Sequence, residues 1–534
     1  MAIRLLDCTL REAPLEGLRW GQIAIQKTIC GLEKAGIEII ECGFLKNPAY
    51  EYGTSSFQKV EDIKPYLKNK KAGCLYVALV DYGRYDLKYL SDYDGTSIDA
   101  IRVCFKKHEI DLVLDYAEEI RKKGYQVCIQ HVDTMGFSDD EIIEFIKKVN
   151  RFKPLAYSVV DTFGAMYQED MEHYTNQANM YLDKDILLGF HAHNNLMVAD
   201  ANAQAFIKNI GNERDVIVDA SLFGCGRSAG NAHTELLAQY LVKYCNKSYD
   251  IDELLDLIDT VVLPIQSETS WGYSVPYFIS GIHNAHTFNV SHLIKRHNIQ
   301  SKDLRGIIER LSETEKKAYD YKLLERLYVE YFDRPVNDER AVEQLTQAFQ
   351  GREILLLAPG QSVKQQKNRI DAFIQEKNPL VIAVNNVIDA YHLDYIFYSG
   401  INRYNILKYQ DYEAVGKPTI LLTSNIKTQA CNNEMILDYK SLIKFGWINI
   451  DSSVILLLRL LIKCGVKKVF VAGLDGYKEV GETFYKNELE TGLTAKDRKE
   501  HTQENISMMQ DIKQEYPGFT MEFLTDSMYA DIFL

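Results

Sequence analysis

The sequence predicts an α/β protein with two modules, a (β/α)8 TIM barrel followed by a helical segment and a second α/β domain. Eight strand-like apolar runs alternate with amphipathic helical patterns between Ile3 and Leu222. Eight such units in about 240 residues are typical of a closed barrel, whereas an open doubly wound sheet seldom has eight in a row. At 534 residues the chain is also too long for one core, and a new buried strand begins near Ile354.

The predicted barrel strands are mostly apolar runs. In chain order they are Ile3–Cys8, Ile37–Gly43, Gly73–Val80, Ile98–Cys104, Tyr125–His131, Ala156–Asp161, Ile186–His193 and Val216–Leu222. Amphipathic segments such as Ile110–Lys123 and Asp140–Arg151 lie between them. In this fold the chemistry lies where the strands end, at the carboxyl face.

Composition narrows the class of partner. A hydrophobic content of 46% with 25% charged residues is that of a globular protein, and a net charge of −14 argues against nucleic-acid or anionic-membrane partners. Charged residues such as Arg459 and Lys463 interrupt the most apolar window, Val454 to Gly473, which predicts a buried helix and strand and no membrane span. No signal peptide is visible, and ten cysteines without a CxxC pair indicate reduced thiols, so we expect a cytoplasmic protein.

Polar side chains accumulate at the ends of the predicted barrel strands. In strand order they are Asp7, Arg11 and Glu12, then Glu41, Arg102, His131, Asp161 with Thr162, His191 with His193, and the stretch Gly224–Asn231. Each alone is compatible with a cap or a structural ion pair. Their accumulation at one face of a barrel predicts a functional site there.

His191 and His193 predict a metal site. Residues two apart in a strand point to the same side, so their imidazoles converge. Glu12 would add a carboxylate, and Asn231 or water would fill further positions. Such mixed nitrogen and oxygen ligands suit Mn²⁺, Mg²⁺, Co²⁺, Zn²⁺ or Fe²⁺ without choosing among them. An isolated His-x-His can also be a polar pair at a strand terminus.

Four blocks resemble the DRE-TIM metallolyases. They are Asp7–Glu12, Asp161–Met166, His191–Asn195 and Gly230–Ala232, and within that superfamily residues 1–290 look most like the 4-hydroxy-2-oxovalerate aldolase group. The resemblance implies a divalent-metal aldolase, with Mn²⁺ or Mg²⁺ as cofactor and Co²⁺ or Zn²⁺ as alternatives. It also implies two small-molecule substrates, a 2-keto acid that reacts through its enolate and an aldehyde.

The same resemblance implies roles for individual residues. Arg11 would stabilise the enolate charge, Glu41 would hold Arg11, and Tyr277 falls where the aldolases place a general acid/base. The residues expected to contact substrate are Arg102, His131, Asp161, Thr162 and Gly230.

The chain departs from the aldolase pattern at two positions. Glu12 stands where the family has aspartate, and Leu15 stands where the aldolases have a histidine four residues after the arginine. Leucine cannot relay a proton, so His131, His108 or His283 would have to replace it, or the reaction differs. Two alternatives therefore stay open, a Claisen-type acyl transferase or lyase with Cys225 in the glycine loop, and a barrel that binds ligand without turnover.

Beyond the barrel, residues 291–345 have a charged helical pattern that favours a spacer or docking segment, and residues 346–534 form a second α/β domain. The strand Ile354–Leu357 leads into the turn Ala358–Ser362, whose amides suit a phosphate if it is more than a simple turn. Further strand-end blocks are Val384–Asn386, Phe397–Gly400 and Val469–Tyr477.

These blocks, with Ser452–Ser453 opening a helix, are similar to the bacterial α-2,3-sialyltransferases and to a related family that includes pterin pyrophosphokinases. The resemblance implies a Rossmann-like domain that binds a CMP-sugar or another nucleotide through Pro359, Gly360, Ser362, Asn385, Asn386, Ser399 and Asp475. His501 falls where the transferases carry a base, although a lone histidine can equally be a surface residue. Such a fusion would suit surface polysaccharide synthesis, and a homo-oligomer is left open.

Overall fold

The computed structural model describes residues 1–12, 19–266, 271–297, 299–407, 414–427, 433–447, 449–477 and 495–533 of the chain. It divides into two units, the first made of Met1–Val290 with Ser312–Tyr319, and the second of Ser291–Leu311 with Asp320–Leu534. The stretch 291–345, expected as one spacer segment, is thus shared between the units. No helix in the described ranges combines the length and apolar character needed to cross a membrane.

The first unit contains a closed barrel of eight parallel strands. The strands are β1 (Ile3–Asp7), β2 (Ile39–Leu45), β3 (Ser56–Phe57), β4 (Leu75–Asp81), β5 (Ala100–Phe105), β6 (Gln126–His131), β7 (Ala156–Asp161), β8 (Leu187–Ala192) and β9 (Val216–Ala220). Their order is β1-β9-β8-β7-β6-β5-β4-β2, with β1 and β2 paired to close the barrel and the short β3 outside β2. The predicted TIM barrel is confirmed.

The helices of the first unit follow the strands around the barrel. They are α1 (Thr9–Glu12), α2 (Gln22–Ala35), α3 (Val60–Ile63), α4 (Val113–Lys122), α5 (Asp139–Phe152), α6 (Gln168–Tyr181), α7 (Ala199–Ile210), α8 (Thr234–Cys245), α9 (Ile251–Leu257), α10 (Leu263–Gln266), α11 (Val275–Ile282) and the start of α12 (Thr287–Arg296), which continues into the second unit. A π-helical turn, Ile258–Val262, joins α9 to α10. In α5, a capping box between Ser138 and Glu141 starts the helix, and its buried face faces the barrel.

Alternation along the strands separates an apolar floor from a polar layer inside the barrel. Seven inward side chains form the floor, namely Leu6, Ile39, Val77, Ala100, Cys128, Ala156 and Ile217. Two residues further toward the carboxyl ends, several of these strands place polar or charged side chains on the same inward face, namely Glu41, Arg102, Gln130, Ser158 and Asp219. This period of two builds the polar layer directly beneath the carboxyl face.

The second unit is built on a seven-stranded parallel sheet. Its strands are β10 (Ile354–Leu357), β11 (Leu380–Val384), β12 (Tyr395–Tyr398), β13 (Thr419–Thr423), β14 (Glu434–Leu437), β15 (Lys468–Ala472) and β16 (Thr520–Phe523), in the order β14-β13-β12-β11-β10-β15-β16. The direction of succession reverses between β10 and β15, which makes their carboxyl ends a topological switch point. The predicted C-terminal α/β domain is confirmed.

Helices precede and flank this sheet. They are α13 (Ser301–Ile308), α14 (Glu313–Lys317, in the first unit), α15 (Tyr321–Phe332), α16 (Glu339–Phe349), α17 (Ser362–Gln365), α18 (Lys367–Lys377), α19 (Ile401–Leu407), α20 (Tyr439–Leu442), α21 (Ser453–Lys463) and α22 (Ala495–Glu515). The apolar window Val454 to Gly473 forms the buried helix α21 and the strand β15, as its charged interruptions predict. The expected domain start at residue 346 falls inside α16.

Candidate active site at the carboxyl face of the barrel

Three side chains that can ligate a metal converge at the carboxyl face. Glu12 ends the one-turn helix α1 directly after β1, His191 lies in β8, and His193 follows that strand. One ligand atom from each lies within 4.8 Å of the other two. An antiparallel bridge between His193 and Asn231 brings the glycine-rich loop after β9 against the same group.

Contacts on the far side of both imidazoles fix their orientation. His191 Nδ1 lies 3.1 Å from Asp219 Oδ2, and His193 Nδ1 lies 2.9 Å from the carbonyl oxygen of Asp161. Such partners select the tautomer that leaves Nε2 without a proton and free to ligate. Asp219 was not among the residues predicted from the sequence, although a lone acid in the apolar strand Val216–Ala220 is a usable signal.

Arg11 is held between two buried carboxylates. Its Nε lies 2.9 Å from Glu41 Oε2, its NH1 lies 2.5 Å from Glu12 Oε1, and its NH2 lies 3.4 Å from His191 Nε2. Burial alone would lower the pKa of Arg11, but the two carboxylates raise it well above its usual value. The guanidinium is therefore a fixed, charged donor beside the metal ligands.

These contacts close into a ring of buried groups. Glu41 Oε1 lies 3.1 Å from Arg102 NH1, and Arg102 NH2 pairs with Asp219, which returns to His191. Arg11 completes the ring by joining Glu41 to Glu12. The ring thus contains three carboxylates and two guanidinium groups, and its formal charge is −1. A buried net negative charge beside three ligand atoms fits a divalent cation, because an unbalanced buried charge is otherwise costly.

Protonation states in the ring suit metal binding at neutral pH. Burial opposes ionisation of Glu12, yet Arg11 outweighs it and holds the pKa at about 2. Arg102 likewise outweighs burial at Asp219, whose pKa is about 2. Burial, with His191 beside it, lowers the pKa of His193 to about 3. Ionised carboxylate and neutral imidazole are the forms that bind metals.

Asn231 contributes an oxygen without a protein partner. Its side chain is fully buried, and its Nδ2 donates to the carbonyl of Cys225 at 3.0 Å. Its Oδ1 accepts no hydrogen bond from any described residue. Gly230 shapes the loop, since its φ is +84° and a Cβ there would lie 2.0 Å from Gly224 O.

Other residues expected to contact substrate have structural partners. The carboxylate of Asp161 accepts the amides of Ala165 and Met166 at 2.8 and 3.1 Å, and burial raises its pKa to about 7. Thr162 Oγ1 accepts the amide of Asp133 at 2.8 Å. Asp161 therefore shapes the loop after β7, and its carbonyl positions His193.

The structure does not bring His131 to this group. Its side chain points outward from β6, where Nδ1 lies 3.1 Å from Tyr157 Oη and the ring packs against Phe137. Burial lowers its pKa to about 3. The strand was predicted correctly, but residue 131 has the opposite parity to the inward Cys128 and Gln130, so it faces the helices.

The remaining acid/base candidates occupy different places. Tyr277 lies half-buried in the first turn of α11, where its hydroxyl has no hydrogen-bond partner in the described part of the chain. Leu15 lies outside the described residues. Of the histidines considered as its replacement, His108 is an exposed residue 3.7 Å from Glu109, and His283 caps the end of α11.

The segment Ser312–Tyr319 returns to the barrel, which the sequence did not predict. Lys317 Nζ lies 2.9 Å from Asp133 Oδ1 and 4.7 Å above the ring of Phe163, after β7. The amide of His286 donates to the carbonyl of Lys316 at 2.7 Å. Burial, with nearby Arg227, lowers the pKa of His286 to about 4, so this histidine is neutral beside the barrel mouth.

In the second unit, the predicted nucleotide-binding residues lie at the carboxyl ends of four strands. Beside Pro359, after β10, the amide of Gly360 donates to Gly473 O at 2.7 Å. The amide of Ser362 donates to Asp475 Oδ2 at 3.0 Å, and its hydroxyl also pairs with that carboxylate. These contacts join the loops on both sides of the switch point.

A second set of contacts links β11, β12 and α21. Asn385 Nδ2 donates to Ser453 Oγ at 2.9 Å, and the hydroxyls of Ser399 and Ser453 lie 2.6 Å apart. Asn385 Oδ1 accepts no hydrogen bond from the described residues, and the neighbouring Asn386 is buried. The first residue of α21 is thereby tied to two of the predicted positions.

Two basic side chains, His501 and Arg403, lie near the carboxyl ends of these strands of the second unit. The ring of His501, in α22, is 5.6 Å from that of Tyr477, which follows β15. Arg403, in α19, is half-buried and forms no ion pair with any residue the structure describes. It lies within electrostatic reach of Tyr398 and Tyr477. Arg403 was not predicted from the sequence.

Fold and site together define the first unit as a (β/α)8 barrel with two histidines and one carboxylate that could hold a metal ion, beside a buried arginine. Residues 2–261 match the HMGL-like family model, so the N-terminal half of the chain is an HMGL-like domain.

The matched relatives include two curated enzymes and a solved structure. Over 302 residues, 54% of this chain and 84% of the relative, the chain is 28% identical to an oxaloacetate decarboxylase of Mycobacterium tuberculosis (strain ATCC 25618 / H37Rv). Over 280 residues, which are 51% of this chain and 80% of the relative, it is 25% identical to a 4-hydroxy-2-oxovalerate aldolase of Bacillus thuringiensis (strain Al Hakam). The HMG-CoA lyase of Bacillus subtilis is 17% identical with a TM-score of 0.40, covering 49% of this chain and 93% of the lyase. These relatives do not identify the second unit.

Proposed function

We propose that the barrel is a metal-dependent carbon–carbon lyase that acts on a 2-keto acid through its pyruvate enolate, in the manner of an aldolase. The support comes from the HMGL-like match and from the convergence of Glu12, His191 and His193 beside Arg11. A named relative at 25% identity is a 4-hydroxy-2-oxovalerate aldolase, which agrees with this class of reaction.

Each group has a part that follows from its position. Glu12, His191 and His193, with the unpartnered Oδ1 of Asn231, would hold the divalent ion. A bound divalent ion would polarise the keto acid carbonyl. Arg11 presents a guanidinium that Glu41 and Glu12 fix in place, so it can stabilise negative charge on the substrate oxygen without reorganising.

The observation that carries the proposal is the fixed position of Arg11, 3.4 Å from His191. With Mn²⁺ or Mg²⁺ present, the enzyme should exchange deuterium from solvent into the methyl group of pyruvate. Replacing Arg11 with alanine should slow this exchange roughly 10²–10³-fold, the usual effect of removing one preorganised donor. Arg151→Ala, an exposed arginine on α5, is the matched control. Equal rates for wild type and Arg11→Ala would contradict the proposal.

A decarboxylase is the second candidate, and the leucine at position 15 favours it. Loss of CO₂ from a 2-keto diacid yields the pyruvate enolate without a base to deprotonate a hydroxyl, so the histidine that Leu15 replaces is not needed. A 28% identical relative is an oxaloacetate decarboxylase. Release of CO₂ from oxaloacetate, with no turnover of any 4-hydroxy-2-keto acid, would select this candidate.

A Claisen-type reaction that uses Cys225 has less support. Cys225 is fully buried, and that burial raises the pKa of its thiol well above the usual value. The thiolate, which is the reactive form, is therefore disfavoured. A screen of thioester substrates separates this reaction class from the other two.

For the second unit we propose binding of a nucleotide or nucleotide-sugar at the switch point, at the carboxyl ends of β10, β11, β12 and β15. Support comes from the reversal of strand order there and from the unpartnered Oδ1 of Asn385. Half-buried Arg403, without an ion pair in the described ranges, would suit a phosphate.

Melting of the full chain with CMP, CDP or GDP tests this proposal. Ligand at about 100 Kd stabilises a protein by roughly 2.7 kcal/mol, which shifts the melting temperature visibly. Asn385→Ala and Arg403→Met should shrink the shift, whereas the exposed control Lys377→Met should keep it. A chain that ignores all three nucleotides would contradict the proposal.

A further inference from the structure

Two cations without ion pairs flank the candidate metal ligands. Lys46 directly follows β2, and Arg227 lies in the loop after β9. Because β9, β1 and β2 are neighbours in the barrel, both cations lie at the carboxyl face on either side of β1, which leads into Arg11 and Glu12. Among the described residues, neither Lys46 nor Arg227 has a carboxylate within ion-pair distance.

Lys46 is half-buried although it forms no ion pair with any described residue. Its ammonium lies 4.7 Å above the ring of Phe44, and burial lowers its pKa. Asp81 attracts it, but Asp81 Oδ2 already lies 3.4 Å from Arg84 NH1. Keeping an ammonium partly desolvated and unpaired is unfavourable, so such groups are typical of sites that receive an anion.

Arg227 is an exposed residue within electrostatic range of both the candidate metal ligands and Lys46. Its charge acts on Glu12 and His193 on one side and on Lys46 and Asp81 on the other. Within the described part of the chain, this face therefore carries two cations without an ion pair, Lys46 and Arg227, in a protein whose net charge is −14.

We infer that the second substrate, the carbonyl compound joined to or released from the pyruvate enolate, carries a phosphate or carboxylate that binds between Lys46 and Arg227. The inference rests on the proposed function and adds the substrate class. In the proposed function Arg11 and the candidate metal ligands engage the keto acid, which leaves Lys46 and Arg227, on either side of β1, for the second substrate. A guanidinium and an ammonium together suit a group with several anionic oxygens.

Two matched pairs of aldehydes test the inference in the metal-loaded full chain with pyruvate. D-Glyceraldehyde 3-phosphate is compared with D-glyceraldehyde, and succinate semialdehyde with butanal. Wild type should prefer the anionic member of at least one pair by kcat/KM. Lys46→Met, which keeps the stem on Phe44, and Arg227→Met should each lower kcat/KM for that anionic aldehyde roughly 10–100-fold, as expected for loss of a charge-assisted contact.

The controls separate a substrate contact from a general effect. Lys107→Met removes a cation at the same face that is paired with Glu141 at 2.6 Å, and it should leave the preference intact. In Lys46→Met, which does not act on the candidate metal ligands, deuterium exchange into pyruvate and turnover of the neutral aldehyde should stay within about twofold of wild type.

The outcomes are distinguishable. If wild type exchanges deuterium into pyruvate but uses anionic and neutral aldehydes equally, the inference is wrong and the proposed function stands. Slower pyruvate exchange in Lys46→Met would mean that this cation binds the keto acid instead, which also overturns the inference. Absence of exchange in wild type would remove the proposed function and the inference together.

Discussion

At the scale of single residues, the carboxylate of Asp219 connects the two halves of the candidate site. It lies 3.1 Å from His191 Nδ1 and also pairs with Arg102, which in turn holds Glu41 behind Arg11. One carboxylate thus orients a metal ligand and, through two further residues, the arginine. The candidate metal centre and the candidate charge stabiliser share their supports.

Metal uptake is the prediction that belongs to this scale. Replacing His191 and His193 together with glutamine should abolish binding of one Mn²⁺ per chain, because two of the three clustered ligands lose their preferred donor. Metal content after dialysis measures it. The matched control is His108→Gln with His173→Gln, two exposed histidines outside the cluster. A doubly substituted protein that keeps metal at unchanged affinity would contradict the assignment.

The sequence indicated the candidate metal ligands more readily than the residues that contact and orient them. The two histidines and Glu12 could be found because each follows an apolar strand, and strand ends meet at one face of a barrel. The orientation of His131 could not be found in the same way, because it depends on the parity of one residue relative to its neighbours in β6. Arg102 was predicted as a substrate contact, whereas its partner Asp219, which lies across the barrel and 117 residues away, was not predicted.

At the scale of elements, a buried histidine ties three helical pieces of the second unit together. His297, just after α12, has its Nε2 2.9 Å from Glu325 Oε2 in α15 and its Nδ1 3.5 Å from Asp451 Oδ1, before α21. The ring of Tyr328 stacks on the imidazole at 3.7 Å, and Tyr328 Oη donates to Asp451 at 2.7 Å. His292 also binds Glu325, at 2.6 Å.

This histidine predicts a loss of stability at alkaline pH. Burial would lower the pKa of His297, but Asp451 and Glu325 outweigh it and raise the value to about 9. The pKa is about 6.5 in an unfolded chain, so the stabilisation is complete below pH 6.5 and is lost as the pH rises through 9. The full effect is roughly 3 kcal/mol. The pKa values of Glu325 and Asp451 are lowered, so both stay ionised across this window.

Hydrogen exchange in α15 and α21, corrected for the intrinsic rate at each pH, measures the effect. Protection should fall between pH 6.5 and pH 9 in the wild type. The dependence should flatten in His297→Gln, whereas His392→Gln, an exposed histidine 4.0 Å from Asp394, should behave as wild type. Protection that is equal at pH 6.5 and pH 9 in the wild type would show that His297 does not carry this charge.

At the scale of the whole molecule, the chain contains two units, each with its own sheet and core. The barrel core includes Leu5 and Ile101, and the sheet of the second unit packs around residues such as Leu355 and Ile396. The alternation of strands and helices predicted both folds, because it depends only on local periodicity. The segment between them was harder, since no local pattern indicates that residues 312–319 pack on the barrel while their flanks belong to the second unit.

The second unit should fold only with its preceding helices. Residues 287–534 keep His297, Glu325 and Tyr328 around the partly buried Asp451, and Asp338 beside Lys463 Nζ at 3.0 Å. A piece of residues 346–534 cuts α16 and removes the helices that carry His297, Glu325 and Tyr328, so Asp451 loses these partners and the apolar surface beneath the helices is exposed to water. We expect cooperative melting for 287–534 and none for 346–534, measured by circular dichroism.

The longer piece should also show the nucleotide-induced shift of the full chain, unchanged by EDTA, because its site contains no barrel residue. Cooperative melting of 346–534 at the same temperature would show that the helices are dispensable, and a shift abolished by EDTA would tie nucleotide binding to the metal.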